Sequence, residues 1–507
     1  MTRLAGLETE YGCLVEEATG SHDTVRRIRD WLFLGGRYGL IDRQQRDWDE
    51  PAGNGGFLFN GGRAYMDMGH LELCTAECLG LDDLVAHDAA ADALVWEAVR
   101  ALHLGDRVGF IRNNVDHYSG ATFGCHENYL VRRTAPLTEQ NVLSLLAFLT
   151  LRVLYSGAGK VGGLAAGELS ASAGVVAPFQ ISQRADFIQN DLFEWVQFNR
   201  AIINTRDEPL ADARRFRRLH LLHGDTSVLP ATLALKVGTT SLVLDLLEIN
   251  HLPPVALLDA VGTFRGISAN PGGPWPVDLA SGEAADALEV LDRYRSAAAA
   301  EFGGRDAETD RLLASWKEAL DGLGAAPDTL VGTVDWITKR WLFLQFMAAE
   351  GVDWDSPWLR SQDLEFHHTD PARGLGRSLA APGCRWAPAA ERVQQARREP
   401  PADTRAAVRS YLMRRLSAEG LPVFVDWEMV DTEAMNPLLL LDPFESGFAE
   451  ADRWLAEALE TRARRSPRAI GTGPTSSDPP SSLPTVADDG SAPDDCQRLP
   501  GSGRMSS

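Results

Sequence analysis

The most constraining stretch of this chain runs from Gly56 to Met68. It reads as a strand, an Asn-Gly-Gly turn at Asn60 to Gly62, and a second strand, which together predict a hairpin. On the second strand Arg63, Tyr65 and Asp67 fall at period two, so all three side chains share one face of a sheet. An arginine, a phenol and a carboxylate on one strand face are not the makings of a core strand. The chain therefore has to fold around a sheet that carries chemistry on one side.

The segments around this hairpin predict an α+β chain. Leu4 to Leu14 alternates as a strand, and further strands are expected at Val108–Asn114 and Asn128–Arg132. Apolar residues recur at helical spacing over Leu81–Leu102, Leu137–Tyr155 and Thr239–Ile249, and again over 283–321 and 333–350. Strands and helices do not alternate as βαβ units, so the sheet is expected to be antiparallel or mixed. Gly35 to Gly56, containing RQQRDWDEPAGNGG, reads as a mobile loop. Residues 466–507 hold seven of the 27 prolines and almost no large apolar side chain, which predicts a disordered tail. No internal repeat is found.

Composition removes several classes. Forty-nine basic against 71 acidic residues leave a net charge of −22, which argues against nucleic-acid and membrane partners. No window of eighteen uninterrupted apolar residues suggests a membrane span, and the first residues, MTRLAGLETEYG, do not read as a secretory signal. Six cysteines at 13, 74, 78, 125, 384 and 496 form no disulfide or zinc framework and point to reduced, cytoplasmic thiols. The P-loop, G-x-S-x-G and H-E-x-x-H patterns are absent. The Gly-rich GAGKVGG at 157–163 follows a helix and so lacks the context of a Rossmann turn.

What remains is a series of acidic and amide-rich motifs. Glu8 and Glu10 share a strand face about 7 Å apart, and two such carboxylates repel unless a cation lies between them. Arg63, Tyr65, Asp67, His70, Glu72, Thr75 and Glu77 concentrate polar groups in fifteen residues. Asn113-Asn114-x-Asp116 precedes Gly124-Cys125-His126-Glu127-Asn128, and Arg206 in INTRDEP has the fork geometry that suits phosphate. Together they predict a carboxylate-lined magnesium site on a sheet with arginines nearby, a constellation suited to phosphoryl transfer without a P-loop.

At these motifs the sequence resembles a known family. GLETEYG, NGGRAYMDMGH, TAEC, FGCHENYL, FQISQRADFI, IINTRDEP, RRLHLLHGD and LKVGTTSLVLDLLE occur in the order found in the family of Pup ligase and Pup deamidase/depupylase. The likeness is strong from residue 4 to about 250 and weaker through LEFHHTDPARGLG, PPADTRAAVRS and VDWEMV to Pro443. The resemblance implies a glutamine synthetase-like curved antiparallel sheet with helices on one face. It implies a catalytic domain over 1–375, a small C-terminal domain over 376–455, and ATP and Mg2+ as cofactors. It assigns Glu8, Tyr65 and Glu72 to magnesium, Arg63, Thr75 and Trp427 to ATP, and Asp67 to catalysis as the reactive carboxylate. Glu10, Glu127 and His220 are implied as further metal contacts and Arg206 as a phosphate contact. The implied partners are Pup, or a Pup-like disordered acidic protein, and pupylated or lysine-bearing proteins.

Two reactions are open to that family. Cys125 in GCHENYL, TAEC and LDPF look ligase-like. The long Gly35–Gly56 loop, the five-residue Asp67-to-Glu72 spacing and LKVGTTSLVLDLLE look deamidase-like. The expectation is ATP- and Mg-dependent hydrolysis of a glutamine amide or an isopeptide bond. Ligation through a glutamyl phosphate is the alternative, followed by a divergent γ-glutamyl enzyme or an ATP-binding protein without turnover. His70-Leu71-Glu72-Leu73 departs from the family's His-Pro-Glu-Tyr, which bears on how substrate is placed.

Overall fold

Alternation along the central strands divides one sheet into two unlike faces, and the rest of the molecule follows from that division. A computed structural model describes residues 3–16, 20–47, 50–115, 122–162, 177–193, 200–433 and 435–465. The expected tail at 466–507 lies outside the described residues, as do Asp116 and Gly163. The described residues through Arg462 belong to one compact unit.

The strands are β1 (Ala5–Val15), β2 (Gly39–Ile41), β3 (Gly55–Leu58), β4 (Arg63–Asp67), β5 (His70–Cys74), β6 (Val108–Ile111), β7 (Cys125–Arg132), β8 (Lys160–Val161), β9 (Phe179–Gln180), β10 (Asn190–Phe193), β11 (Ala201–Asn204) and β12 (Phe216–Leu221). Among the described residues, ten of them make one sheet in the order β10-β11-β12-β7-β1-β5-β4-β3-β2, with β6 paired to the far end of β1. Every pair is antiparallel except β10 with β11, so the sheet is mixed. The expected hairpin is β3–β4, and the expected first strand is β1. The segment 35–56, expected as a loop, contains β2, which pairs with β3.

One face of the sheet is apolar. Leu7 and Tyr11 of β1, Ala64 and Met66 of β4 and Leu71 and Leu73 of β5 are buried there. They pack beneath α1 (Ser21–Asp30), the π-helical turn Trp31–Gly35 that continues it, and α2 (Leu81–Ala101). α2 carries Asp82 and Asp83 in its first turn and Arg100 in its last, which complements the helix dipole. Farther along, α3 (Glu139–Leu151), α4 (Val153–Ser156) and α5 (Pro230–Glu248) cover β7, β11 and β12. The single helix expected at Leu137–Tyr155 is thus two, divided at Arg152. Thr138 caps α3 by accepting from the Asn141 amide at 3.2 Å. α5 begins well before the expected Thr239, at Pro230, a residue suited to the first helical position. α5 is long and apolar enough to cross a membrane, but 94% of its apolar window is buried inside the protein as a core helix.

Six helices then extend the shell: α6 (Ala260–Ser268), α7 (Ala287–Phe302), α8 (Ala307–Ala325), α9 (Asp335–Glu350), α10 (Pro357–Phe366) and α11 (Leu375–Ser378). A short ribbon, β13 (Pro276–Asp278) with β14 (Ala284–Asp286), precedes α7. After α12 (Ala390–Ala396), the helix α13 (Arg405–Ala418), the three-stranded sheet β15 (Phe424–Asp426), β16 (Met429–Thr432) and β17 (Met435–Leu439), and α14 (Ala449–Arg465) share a core of Leu412, Val430 and Trp454.

This C-terminal layer is tied to the main sheet through Glu77. Its carboxylate accepts from Arg409 at 2.7 and 2.9 Å and from Arg405 at 2.9 Å, and Arg409 also donates to the Gly61 and Trp427 carbonyls at 2.8 Å. Burial works against the charge on Glu77, but the two guanidinium groups outweigh it and bring the carboxyl down to about 2. Glu77→Gln leaves two buried cations short of their counter-charge and should cost about 3–5 kcal/mol in denaturant unfolding at pH 7. The depressed acid stabilises the fold above its ordinary 4.5, and this contribution is lost as pH falls toward about 2. The gap between the two proteins should therefore close across that window.

Candidate active site

The second sheet face is polar, and register brings its residues together. On β1, Glu8 lies between Cys74 of β5 and His126 of β7, while Glu10 lies opposite Glu72 of β5. Glu72 in turn faces Tyr65 of β4, Cys74 faces Arg63, and Asp67 pairs with His70. On the other side Asn128 of β7 faces His220 of β12, which faces Asn204 of β11. Twelve residues from six strands and distant parts of the sequence are thereby placed on neighbouring rungs.

Two clusters result. The carboxylates of Glu10, Asp67 and Glu72 have oxygens within 4.8 Å of one another, and so do the ligand atoms of Glu8, His126 and His220. Glu8 is held by His126 Nδ1 at 3.1 Å and by the Asn128 amide, which donates at 2.9 Å. His220 Nε2 lies 3.6 Å from Glu8, and this buried nitrogen makes no hydrogen bond. Gly124 leaves the space these groups occupy. A Cβ there would stand 2.5 Å from Glu10 Oε1 and 2.7 Å from His126 Nε2.

The electrostatics follow from crowding. Burial favours the neutral form of Glu8, but its hydrogen bond with His126 and the nearby imidazole of His220 outweigh it and hold the carboxyl well below the usual range. Glu10 is lowered in the same way, by His70, His126 and Arg184 against its burial. Glu72 takes the opposite course. Burial, then the charges of Glu8 and Glu10, push it well above the usual range. Its Oε1 accepts a 2.5 Å hydrogen bond from the Tyr65 hydroxyl, itself raised well above its ordinary value by burial and by Cys74 and Glu72. A divalent cation fits this donor set, because it would replace the proton that relieves the repulsion. The all-oxygen cluster suits Mg2+, whereas Glu8, His126 and His220 also suit a softer ion such as Mn2+.

Beside the clusters a cleft with a cavity volume of about 110 Å³ opens between the sheet and the C-terminal layer. Gly6, Glu8, Thr75, Arg218, Leu210 and Trp427 are among its lining residues. The mixture of apolar walls with a few polar groups is that of a small-molecule site. Trp427 stands edge-on to Phe57 with ring centroids 5.1 Å apart, and Thr75 Oγ1 accepts from the Leu7 amide at 3.1 Å. Arg63 lies over the Tyr65 ring at 4.4 Å and donates to Glu50 at 2.8 Å and to Asp42 at 3.2 Å. Both carboxylates come from the segment expected as a loop.

Of the residues expected here, Glu8, Glu10, Arg63, Tyr65, Asp67, Glu72 and His220 share the polar face, and Thr75 and Trp427 line the cleft. Tyr65 enters as a hydrogen-bond donor to Glu72. Glu127 is a correction. It lies one residue out of phase on β7, so it points into the core, where Arg152 grips it with donors at 2.6 and 2.8 Å and Tyr129 donates at 2.5 Å. Its neighbour His126 holds the place expected for it. Arg206 is the second correction. It is half exposed and paired with Glu208 at 2.6 Å, while Arg218, 3.9 Å from Glu8, supplies the guanidinium of this region. Strand alternation was the signal for both, since Arg218 and His220 are two apart on β12.

Comparison with known proteins agrees with this architecture. The family model described as "Pup-ligase protein" matches residues 3–431. A Pup–protein ligase of Corynebacterium jeikeium is 35% identical over 477 residues, spanning 91% of this chain and 99% of that protein. One from Micrococcus luteus is 35% identical over 471 residues, spanning 89% and 97%. The complex of the prokaryotic ubiquitin-like protein Pup with its ligase PafA superposes with a TM-score of 0.77 at 29% identity, covering 90% of this chain and 92% of that one. PafA in complex with ADP gives 0.71 at 29%, covering 89% and 97%.

Because burial and the charges of Glu8 and Glu10 raise Glu72, a cation bound beside it should favour its ionised form and couple binding to proton release. Calorimetric titration of Mg2+ or Mn2+ at pH 7, in buffers of different ionisation enthalpy, should report net proton release. Glu72→Gln should abolish the release and weaken binding by about tenfold or more. Glu127→Gln should instead lower thermal stability.

Proposed function

The chain belongs to the Pup-ligase family, and from that premise we propose that it is an ATP-dependent ligase that joins Pup to proteins. The bond is an isopeptide bond between the γ-carboxylate of Pup's C-terminal glutamate and the amine of a protein lysine. This replaces amide hydrolysis as the preferred reading. Its main support is the set of relatives, Pup–protein ligases similar along nine-tenths of this chain. The features that pointed to hydrolysis have local explanations. The short Asp67-to-Glu72 spacing comes from a two-residue turn between paired Asp67 and His70, and the long segment after Gly35 builds β2 and meets Arg63.

The observation that carries the mechanism is the convergence of Asp67 with Glu10 and Glu72 on the face beside the cleft. The cleft, with Trp427 and Thr75, takes ATP, a co-substrate. The γ-carboxylate of Pup's last residue accepts the γ-phosphoryl group, and ADP departs. The lysine amine then attacks the acyl carbon, the C–O bond to phosphate breaks, and inorganic phosphate leaves. Asp67 accepts the amine proton, a role suited to a carboxylate at the end of β4, only partly buried and open to an incoming chain. Glu10 and Glu72, with Glu8 in the neighbouring cluster, would hold Mg2+, which when bound would supply positive charge for the developing anion. Arg218 and Arg63 add fixed positive charge at either side of Glu8.

An acidic peptide needs a basic and apolar surface to follow. A groove lined by Arg132, Arg214, Arg215, Leu130, Phe216 and Phe444 has that character, its two acidic residues, Asp245 and Glu248, being paired with Arg3, and Arg214 is 87% exposed at its side chain. We assign it to Pup.

Incubation of the protein with ATP, Mg2+, a lysine-bearing protein and a Pup peptide ending in Glu should yield a conjugate detectable by mass spectrometry. Loss of ammonia from a Gln-ended peptide, with no conjugate from the Glu form, would restore the hydrolytic reading. Asp67→Asn should reduce transfer by about a hundredfold or more while leaving ADP affinity within about twofold. Reversing Arg214 and Arg215 to Glu should weaken peptide binding several-fold, measured by anisotropy, with ADP affinity unchanged.

A further inference from the structure

The turn that joins β4 to β5 is strained at a place where strain has no packing role. Asp67 and His70 are cross-strand partners, so the loop between them is two residues, Met68 and Gly69. Both have positive φ, 44° and 94°. Turns of this handedness are filled by Asn-Gly, Asp-Gly or Gly-Gly, because a side chain in the left-handed region crowds the neighbouring carbonyl. Methionine has no local hydrogen bond to offset that strain. Its side chain is also 89% exposed, so burial does not offset it either. An unbranched apolar residue is held on a disfavoured backbone, fully in solvent, next in sequence to Asp67.

Geometry says what passes there. Adjacent Cα atoms are about 3.8 Å apart. A lysine's four-carbon stem places its ammonium about 6 Å from its own Cα. A protein lysine that brings its amine to Asp67 therefore brings its own backbone and flanking residues against the Met68 side chain. Free lysine carries no such flank. Methionine is also the side chain that adapts to differing apolar surroundings.

We propose that Met68 is a specificity-determining contact for the acceptor protein, packing on the apolar surface that flanks the acceptor lysine. This inference rests on the ligase reading with Asp67 as the proton acceptor. The strain at Met68 persists because function, and not folding, selects the residue.

The test compares wild type, Met68→Asn and Met68→Leu as full chains, with ATP, Mg2+ and a Glu-ended Pup peptide. Each is assayed with a folded lysine-bearing protein and with free lysine as acceptor. Met68→Asn should raise KM for the protein acceptor by about tenfold, with kcat little changed and transfer to free lysine altered by less than about twofold. It should also raise Tm, since Asn-Gly suits the turn. Met68→Leu should keep KM for the protein near wild type. An unchanged protein KM in a folded Met68→Asn enzyme would overturn the inference, as would an equal loss with both acceptors. Failure of the wild type to use either acceptor would overturn the ligase reading, and this assignment with it.

Discussion

Four carboxyl groups, those of Glu8, Glu10, Asp67 and Glu72, are carried by three neighbouring strands into one crowded space. In a medium that screens charge poorly, such groups cannot all be ionised without compensation. The surroundings share out that compensation. His126, His220 and Asn128 stabilise the anion of Glu8, His70 supports Glu10, and Tyr65 with a retained proton settles Glu72. The polar face is therefore a built imbalance, complete only when positive charge arrives. The apolar face beneath exists to hold the strands in the register that creates it.

The C-terminal layer serves the same end. Trp427 reaches the cleft because Arg409 holds its carbonyl and Phe57 supports its ring, and Arg409 is fixed by Glu77 at the end of the central strands. One buried ion-pair network thus connects the wall of the cleft to its floor. Networks of this kind contribute less to net stability than to a single arrangement of the parts they join. Here the parts are the two sides of a binding site.

Much of this was legible in the sequence, for identifiable reasons. The Gly56–Met68 hairpin and the face shared by Arg63, Tyr65 and Asp67 follow from turn chemistry and strand parity, both local. Parity also explains the errors. The strand expected from Asn128 begins at Cys125. With its start misplaced, strand parity could not show that His126, and not the Glu127 implied by the resemblance, faces Glu8. β11 and β12, which carry Asn204, Arg218 and His220, are not evident as strands in the sequence, so Arg206 stood out by its fork and its place in INTRDEP with no strand to set its direction. The early turns of α5 were missed because the helix is buried on all sides and shows no polar stripe. The pairing of Arg63 with Asp42 and Glu50 depends on a segment with no periodicity to read.

That pairing has a consequence for any anion approaching Arg63. The guanidinium is not waiting in solvent. It already holds two carboxylates. An incoming phosphate does not add a counter-ion to a bare cation; it trades places with ones already there, Glu50 returning to water while Asp42 keeps its pairing with Arg46. Such an exchange conserves the number of ion pairs. It should respond weakly to ionic strength and strongly to how well the newcomer's oxygens match the fork, because Asp42 and Glu50 are the competitors that any anion at Arg63 has to displace.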